Sequence, residues 1–123
     1  MNKVALTPPM GWNSWDCFGA AVTEQQVLEN AKIMAEKLKP FGWEYVVVDI
    51  EWYQPTASSH EYEPFSELLM DEFGRLLPAE NRFPSAAGGK GFAPLAKTLH
   101  DMGLKFGIHI MRGLPRMAAP RHL

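Results

Sequence analysis

The sequence holds a single cysteine, Cys17, so no disulfide can close within the chain. Its first ten residues lack the charged, then apolar, then small-residue succession of a secretory leader. Both features fit a reducing, cytoplasmic setting. No apolar run approaches the ~20 residues needed to cross a bilayer, so no membrane partner is expected. Charge of one sign is also scarce. A formal net charge of −2 with scattered basic residues leaves no footprint for nucleic acid. The weak grouping of Arg112, Arg116 and Arg121 reads as a solvated tail. No H-x-H or H-E-x-x-H motif is present. Gly88-Gly89-Lys90-Gly91 lacks the spacing of a phosphate loop and does not directly follow a strand, so it reads as a flexible turn. Internal repeats and low-complexity tracts are absent.

What is present is enough apolar and aromatic sequence, 46% and 11%, to pack one small core. Pro8-Pro9-Met10-Gly11-Trp12-Asn13-Ser14-Trp15 opens as extended chain. Thr23-Glu24-Gln25-Gln26 has capping-box spacing. Behind it Val27, Ala31, Met34 and Leu38 recur at helical spacing, with Leu28 and Ala35 widening the stripe. Pro40 and Gly42 end that helix. Tyr45 to Ile50 is a β-branched, aromatic run without alternation, which predicts a strand covered on both faces. A turn-rich connection from 53 to 91 follows, with room for a helical turn between Pro64 and Phe73. Its aromatic residues predict an ordered loop. A second helix is predicted from Ala93 to Met102, with Gly103 at its end, and a third strand from Leu104 to Met111. Strand, helix, strand, helix, strand is the order of a parallel sheet with right-handed crossovers.

In such sheets, sites gather at the carboxyl ends of strands. Trp15 and Asp16 stand after the first strand, Asp49, Glu51 and Trp52 after the second, and His109 and Arg112 after the third. Asp49 and Glu51, two apart in extended backbone, project to one side, where the pair can accept hydrogen bonds from sugar hydroxyls or one member can act as an acid. The competing reading caps the loop with one carboxylate or pairs it with Arg82 or Arg112. Trp15 and Trp52 have faces suited to pyranose rings, or else fill the core. Trp12 and Trp43 read as packing residues, and Cys17 as a small buried thiol. His109 interrupts an apolar strand, where a core histidine is the commoner finding. Asp49, Glu51 and His109 would make a two-carboxylate, one-histidine metal site only if they converged. No metal or other cofactor is expected.

Several separated segments resemble, in order, the N-terminal half-barrel of α-galactosidases and α-N-acetylgalactosaminidases. They are Leu6 to Trp15, Gly42 to Asp49, Asp71-Glu72-Phe73-Gly74-Arg75-Leu76, Arg82-Phe83-Pro84-Ser85, and His100 to Ile108. The resemblance implies a (β/α)8 barrel, of which this α/β chain supplies about three strands and two helices. Residues 1–113 form that part and residues 114–123 an irregular tail. It implies retaining hydrolysis of terminal α-galactosides or related α-glycosides through a glycosyl-aspartate, with a second aspartate as acid/base. Trp15 matches a tryptophan at the sugar pocket. Asp49 and Trp52 match the first aspartate and the tryptophan of a D-D-x-W motif whose aspartates hold galactose hydroxyls.

The departures are specific. Ile50 stands where the second aspartate is expected, with Glu51 beside it, His109 stands where tyrosine is usual, and Met111 to Pro115 lack an aspartate-glycine pattern. The expected substrate-binding set is Trp15, Asp49, Glu51, Trp52, His109 and Arg112, with a carbohydrate as partner. Both catalytic aspartates are expected beyond residue 123, because a full barrel needs about 250 residues. The chain therefore reads as an inactive fragment. The alternatives are a non-catalytic carbohydrate-binding remnant and a metal-dependent barrel hydrolase.

Overall fold

A computed structural model describes residues 6–121, and for Arg121 only its backbone. The chain's last two residues, and its first five, lie outside the described residues, as does the side chain of Arg121 from the expected solvated tail. Three parallel strands, β1 (Met10–Asn13), β2 (Trp43–Val48) and β3 (Lys105–Ile108), form one sheet in the order β1-β2-β3. Three α-helices connect them: α1 (Trp15–Phe18), α2 (Glu24–Lys37) and α3 (Ala93–Asp101). This is the α/β architecture of a partial TIM barrel. Among the described residues no helix is long and apolar enough to cross a membrane.

Helix α2 starts where the capping box predicts. The Thr23 hydroxyl accepts from the Gln26 amide at 3.3 Å, and the Gln26 side chain accepts from the Thr23 amide at 2.9 Å. Its buried positions, Glu24, Val27, Ala31 and Met34, recur at three- and four-residue intervals and face the sheet. Leu38, expected in that stripe, caps the helix end and is exposed. Helix α3 buries Leu95 and Leu99 in the same layer. Val46 and Val48 of β2 meet these helices, with Trp12 and Phe106 packed at the margin.

The other sheet face is open. Register pairs Gly11 with Tyr45 and Asn13 with Val47, then Tyr45 with Lys105 and Val47 with Gly107. These residues share one face, because side chains alternate along a strand. The Tyr45 carbonyl sits where a Cβ on residue 11 would lie, so only glycine allows this strand approach.

Several expectations are corrected. The second strand stops at Val48 and the third at Ile108, so His109 follows its strand instead of interrupting it. Trp43 opens β2 at the sheet's end and is exposed, and Cys17 lies exposed on the one-turn helix α1, which buries none of its residues. Between Pro64 and Phe73 there is no helix. An antiparallel bridge from Met70 to Leu76 closes a turn instead, in which the Asp71 carboxylate accepts from the amides of Phe73 and Arg75. Removing the cap should be costly: Thr23→Ala is expected to lower unfolding free energy by about 1 kcal/mol in urea titration, and Thr23→Ser by much less.

Candidate functional site

The carboxyl edge of the sheet is built by the two-residue alternation of its strands. Continuing the open-face row beyond Val47 and Gly107 gives Asp49 and His109, beside Asn13 of β1. The three side chains meet there. Asp49 Oδ2 accepts from Asn13 Nδ2 at 2.7 Å and from His109 Nδ1 at 2.9 Å, while Asp49 Oδ1 accepts from the Ile50 amide at 2.7 Å. The buried Ser14 hydroxyl accepts from the Asp49 amide at 2.9 Å. Burial alone would raise the Asp49 pKa, but the bonds from Ile50, Asn13 and His109 outweigh it and hold the carboxyl below its ordinary value. Asn13 carries no sequence signal of its own. Only its place one register step before Asp49 marks it.

Glu51 does not join this cluster. The chain leaves the extended conformation after Asp49 and turns, with Gln54 N donating to the Glu51 carbonyl at 3.0 Å. The expected same-side pair of carboxylates is therefore separated. Glu51 lines a cavity of about 540 Å³ between the long loop and the segment after β3, together with Tyr53, Glu63, Met111 and Arg112. One carboxylate oxygen, Oε2, is buried without a partner. Desolvation, then the nearby Glu63 charge, push the Glu51 pKa above its ordinary value, against the pull of Arg82. Neither Asp49 nor Glu51 forms a salt bridge with Arg82 or Arg112 among the described residues. Asp49, Glu51 and His109 thus do not converge as a metal ligand set, and no other such group occurs among the described residues.

The two expected aromatic walls part company. Trp15 lies at the edge, stacked on Tyr62 of the long loop at 5.7 Å between ring centroids and 21° between planes. His60 meets the Trp15 ring edge-on and its carbonyl at 2.9 Å. Trp52 is only 4% exposed, packed edge-on against Tyr53 and Phe92 within the core. Its indole N–H donates to the His109 carbonyl at 2.8 Å, so it braces the edge from behind. Arg82, weighed earlier only as an ion-pair partner, is buried and donates at 2.8 Å to the carbonyls of Val22, Glu51 and Gln54.

With this geometry described, the comparisons are direct. The family model described as alpha galactosidase A matches residues 7–119. The chain belongs to this melibiase family. It is 37% identical over 113 residues to an α-galactosidase of Schizosaccharomyces pombe, covering 91% of this chain and 22% of that one. It is 37% identical over 109 residues to an α-galactosidase of Coffea arabica, covering 88% and 24%. The melibiase-family chain thus spans about a quarter or less of these relatives' length. Among solved structures, a GH27 β-L-arabinopyranosidase from Geobacillus stearothermophilus superposes with TM-score 0.93 at 68% identity, covering 95% of this chain and 27% of that one. An α-galactosidase from Mortierella vinacea gives TM-score 0.67 at 34% identity, covering 87% and 23%.

The two carboxylates make opposite contributions to stability with pH. Asp49, lowered from 3.8, adds stability that is full above that value and lost as pH falls through its folded pKa. Glu51, raised from 4.5, favours the fold below that value and loses this contribution as pH rises through its folded pKa. Urea midpoints from pH 7 to 3 should therefore show Asp49→Asn weakest relative to the parent near neutrality and converging with it in acid. Glu51→Gln should gain on the parent as pH rises. A constant gap for either variant across that range contradicts the assignment.

Proposed function

We propose that this chain forms one wall of a retaining glycosidase that acts on β-L-arabinopyranosides, a substrate closely related to the terminal α-galactosides of the curated relatives. A β-L-arabinopyranoside has the ring configuration of an α-D-galactopyranoside and lacks only the exocyclic hydroxymethyl group. The observation that carries the reading is Ile50. It is buried and apolar where the family resemblance expects a carboxylate that holds a galactose hydroxyl. A sugar with one hydroxyl fewer leaves nothing unpaired against it, whereas an unmet buried hydroxyl costs about 1–3 kcal/mol. The 68% identity to a β-L-arabinopyranosidase supports the same choice.

In this reading Asp49, His109 and Asn13 order the ring hydroxyls, Trp15 supplies an apolar wall, and Glu51 with Arg112 face the adjoining cavity. The nucleophile and the acid/base are assigned to residues beyond 123, and no cofactor is invoked. Apolar pockets reject an added hydroxyl only weakly, by roughly 10²-fold, so some α-galactoside turnover is expected.

The test is a hybrid in which this chain replaces the matching first quarter of the Geobacillus enzyme. The hybrid should hydrolyse an aryl β-L-arabinopyranoside in preference to the aryl α-D-galactoside, and Ile50→Asp should move that ratio toward galactoside by about 10-fold or more. A ratio indifferent to residue 50 sinks the substrate assignment. Purified residues 1–123 alone should turn over neither substrate. Turnover by them would place catalytic carboxylates inside this chain.

A further inference from the structure

We propose that Tyr62 is a positioning residue for the carbohydrate site, carried on an exposed strap, residues 58–65, that fixes the indole of Trp15. This deepens the reading above and rests on Trp15 forming an apolar wall against a bound pyranoside.

The strap adds nothing to the core. Every residue from Ser58 to Phe65 is exposed, and none belongs to the buried cluster or to the residues packed on it. Segments held so lightly usually open easily, yet this one is fastened at both ends. At its start the Ser59 carbonyl accepts from the Ala20 amide at 2.7 Å. Gly19, at φ 55°, permits that approach, since a Cβ there would overlap the Ser59 carbonyl. Toward its end Glu63 Oε2 accepts from Nε2 of the fully buried Gln54 at 2.9 Å and from Thr56 Oγ1 at 3.0 Å. The Ser66 hydroxyl donates to the Glu63 carbonyl at 3.1 Å. Two residues that carry side chains, Ser59 at φ 46° and Phe65 at φ 67°, take left-handed backbone near the two ends. Such conformations are costly and persist only where surrounding contacts dictate them. An unpacked segment held in a costly shape serves something other than the fold.

What the strap reaches is Trp15. The Tyr62 ring stacks on the indole, with 5.7 Å between centroids and 21° between planes. His60 meets the same ring edge-on, at 5.5 Å and 84°. Its Nε2 donates to the Trp15 carbonyl at 2.9 Å, because a carbonyl oxygen only accepts. Among the described residues, both aromatic neighbours of Trp15 thus come from the strap, and Trp15 itself lies outside the core cluster. An indole has two faces. Tyr62 covers one, and a pyranose takes the other. Tyr62 therefore acts through the wall, by setting the angle at which it meets the sugar ring.

A double-mutant cycle in the hybrid enzyme tests this. Tyr62→Ala should lower kcat/KM about 3- to 10-fold, the size of a lost aromatic pair, whereas Tyr62→Phe keeps the stack and stays within about 2-fold. In a Trp15→Ala background, itself weaker than the parent, Tyr62→Ala should cost less than about 2-fold, because the two residues act as one unit. An equal loss in both backgrounds makes Tyr62 a sugar contact in its own right and overturns the inference. So does a Trp15→Ala hybrid with undiminished kcat/KM. The urea midpoint of Tyr62→Ala should match the parent's. A midpoint that falls along with activity reduces Tyr62 to a support for the fold, and the inference is wrong. The cycle is read on both aryl glycosides. Preference for the galactoside refutes the substrate assignment, while the coupling on either substrate still decides Tyr62. Fluorine-19 spectra of the hybrid carrying 5-fluorotryptophan give a readout independent of turnover. The Trp15 resonance, assigned by its loss in Trp15→Phe, should move in Tyr62→Ala and, in the parent hybrid, on addition of L-arabinose. A Trp15 resonance indifferent to either change overturns the inference.

Discussion

Taking a guanidinium out of water costs several kcal/mol unless its donors are met, and Arg82 is buried to 8% exposure. Three carbonyls meet it: Val22 ahead of α2, and Glu51 and Gln54 in the turn after β2. Charge-assisted bonds of this kind contribute about 1.5–3 kcal/mol each. They tie the start of the long loop to the entrance of the first long helix. The Arg82 carbonyl also accepts from the Glu24 amide, and the Ser85 hydroxyl donates to the Glu24 carboxylate, so the loop's far end is fastened to the same helix. A segment of nearly forty residues without a long helix or strand is thereby fastened at both ends, and Tyr62 within it stacks on Trp15 at the sheet edge. The Arg82 Nε is left without a partner, and so is one oxygen of Glu51. Each lies in the other's field without forming an ion pair.

Much of this was legible from residue order. The capping box fixed the start of α2, the β-branched run marked β2, and Pro94 with Gly103 framed α3. Their alternation predicted the parallel sheet, and the partial barrel was implied by the family resemblance. The side-chain row Asn13, Asp49, His109 was only half legible, because it depends on inter-strand register, and register is a long-range property. The pairing of Glu51 with Asp49 failed for a local reason: period-two reasoning holds only while the backbone stays extended, and the chain turns immediately after Asp49. Trp52 shows the same limit from the other side. A large aromatic at a strand end has two outlets, and the core beside Tyr53 and Phe92 took it. Its indole nitrogen still serves the edge by holding the His109 carbonyl.

Replacing a carboxylate by Ile50 removes an acceptor and its charge from the edge at once. Asp49 is then the one carboxylate in the Asn13–His109 cluster, and its negative charge is stabilised by three donors without competition from a like charge. Glu51 does not compensate. Its carboxylate looks into a neighbouring cavity, where burial and Glu63 favour its protonated form. The adjoining cavity, which Glu51 and Glu63 line together with Arg112 and Arg116, is separate from that cluster.

The same hydrogen bonds make Asp49 ill suited to bond cleavage. A general acid needs its pKa raised toward the working pH. The Asp49 pKa is pushed the other way by donors from Ile50, Asn13 and His109. A carboxylate nucleophile needs a lone pair free to form the new bond, and Oδ2 has none while Oδ1 has one, on a side chain largely shielded from solvent. Retaining hydrolysis also asks for a second carboxyl about 5–5.5 Å from the first, and the hydrogen-bonded cluster at this edge contains no other. The cluster of Asn13, Asp49 and His109 thus lacks both the raised pKa and the paired carboxyl that bond-making would require.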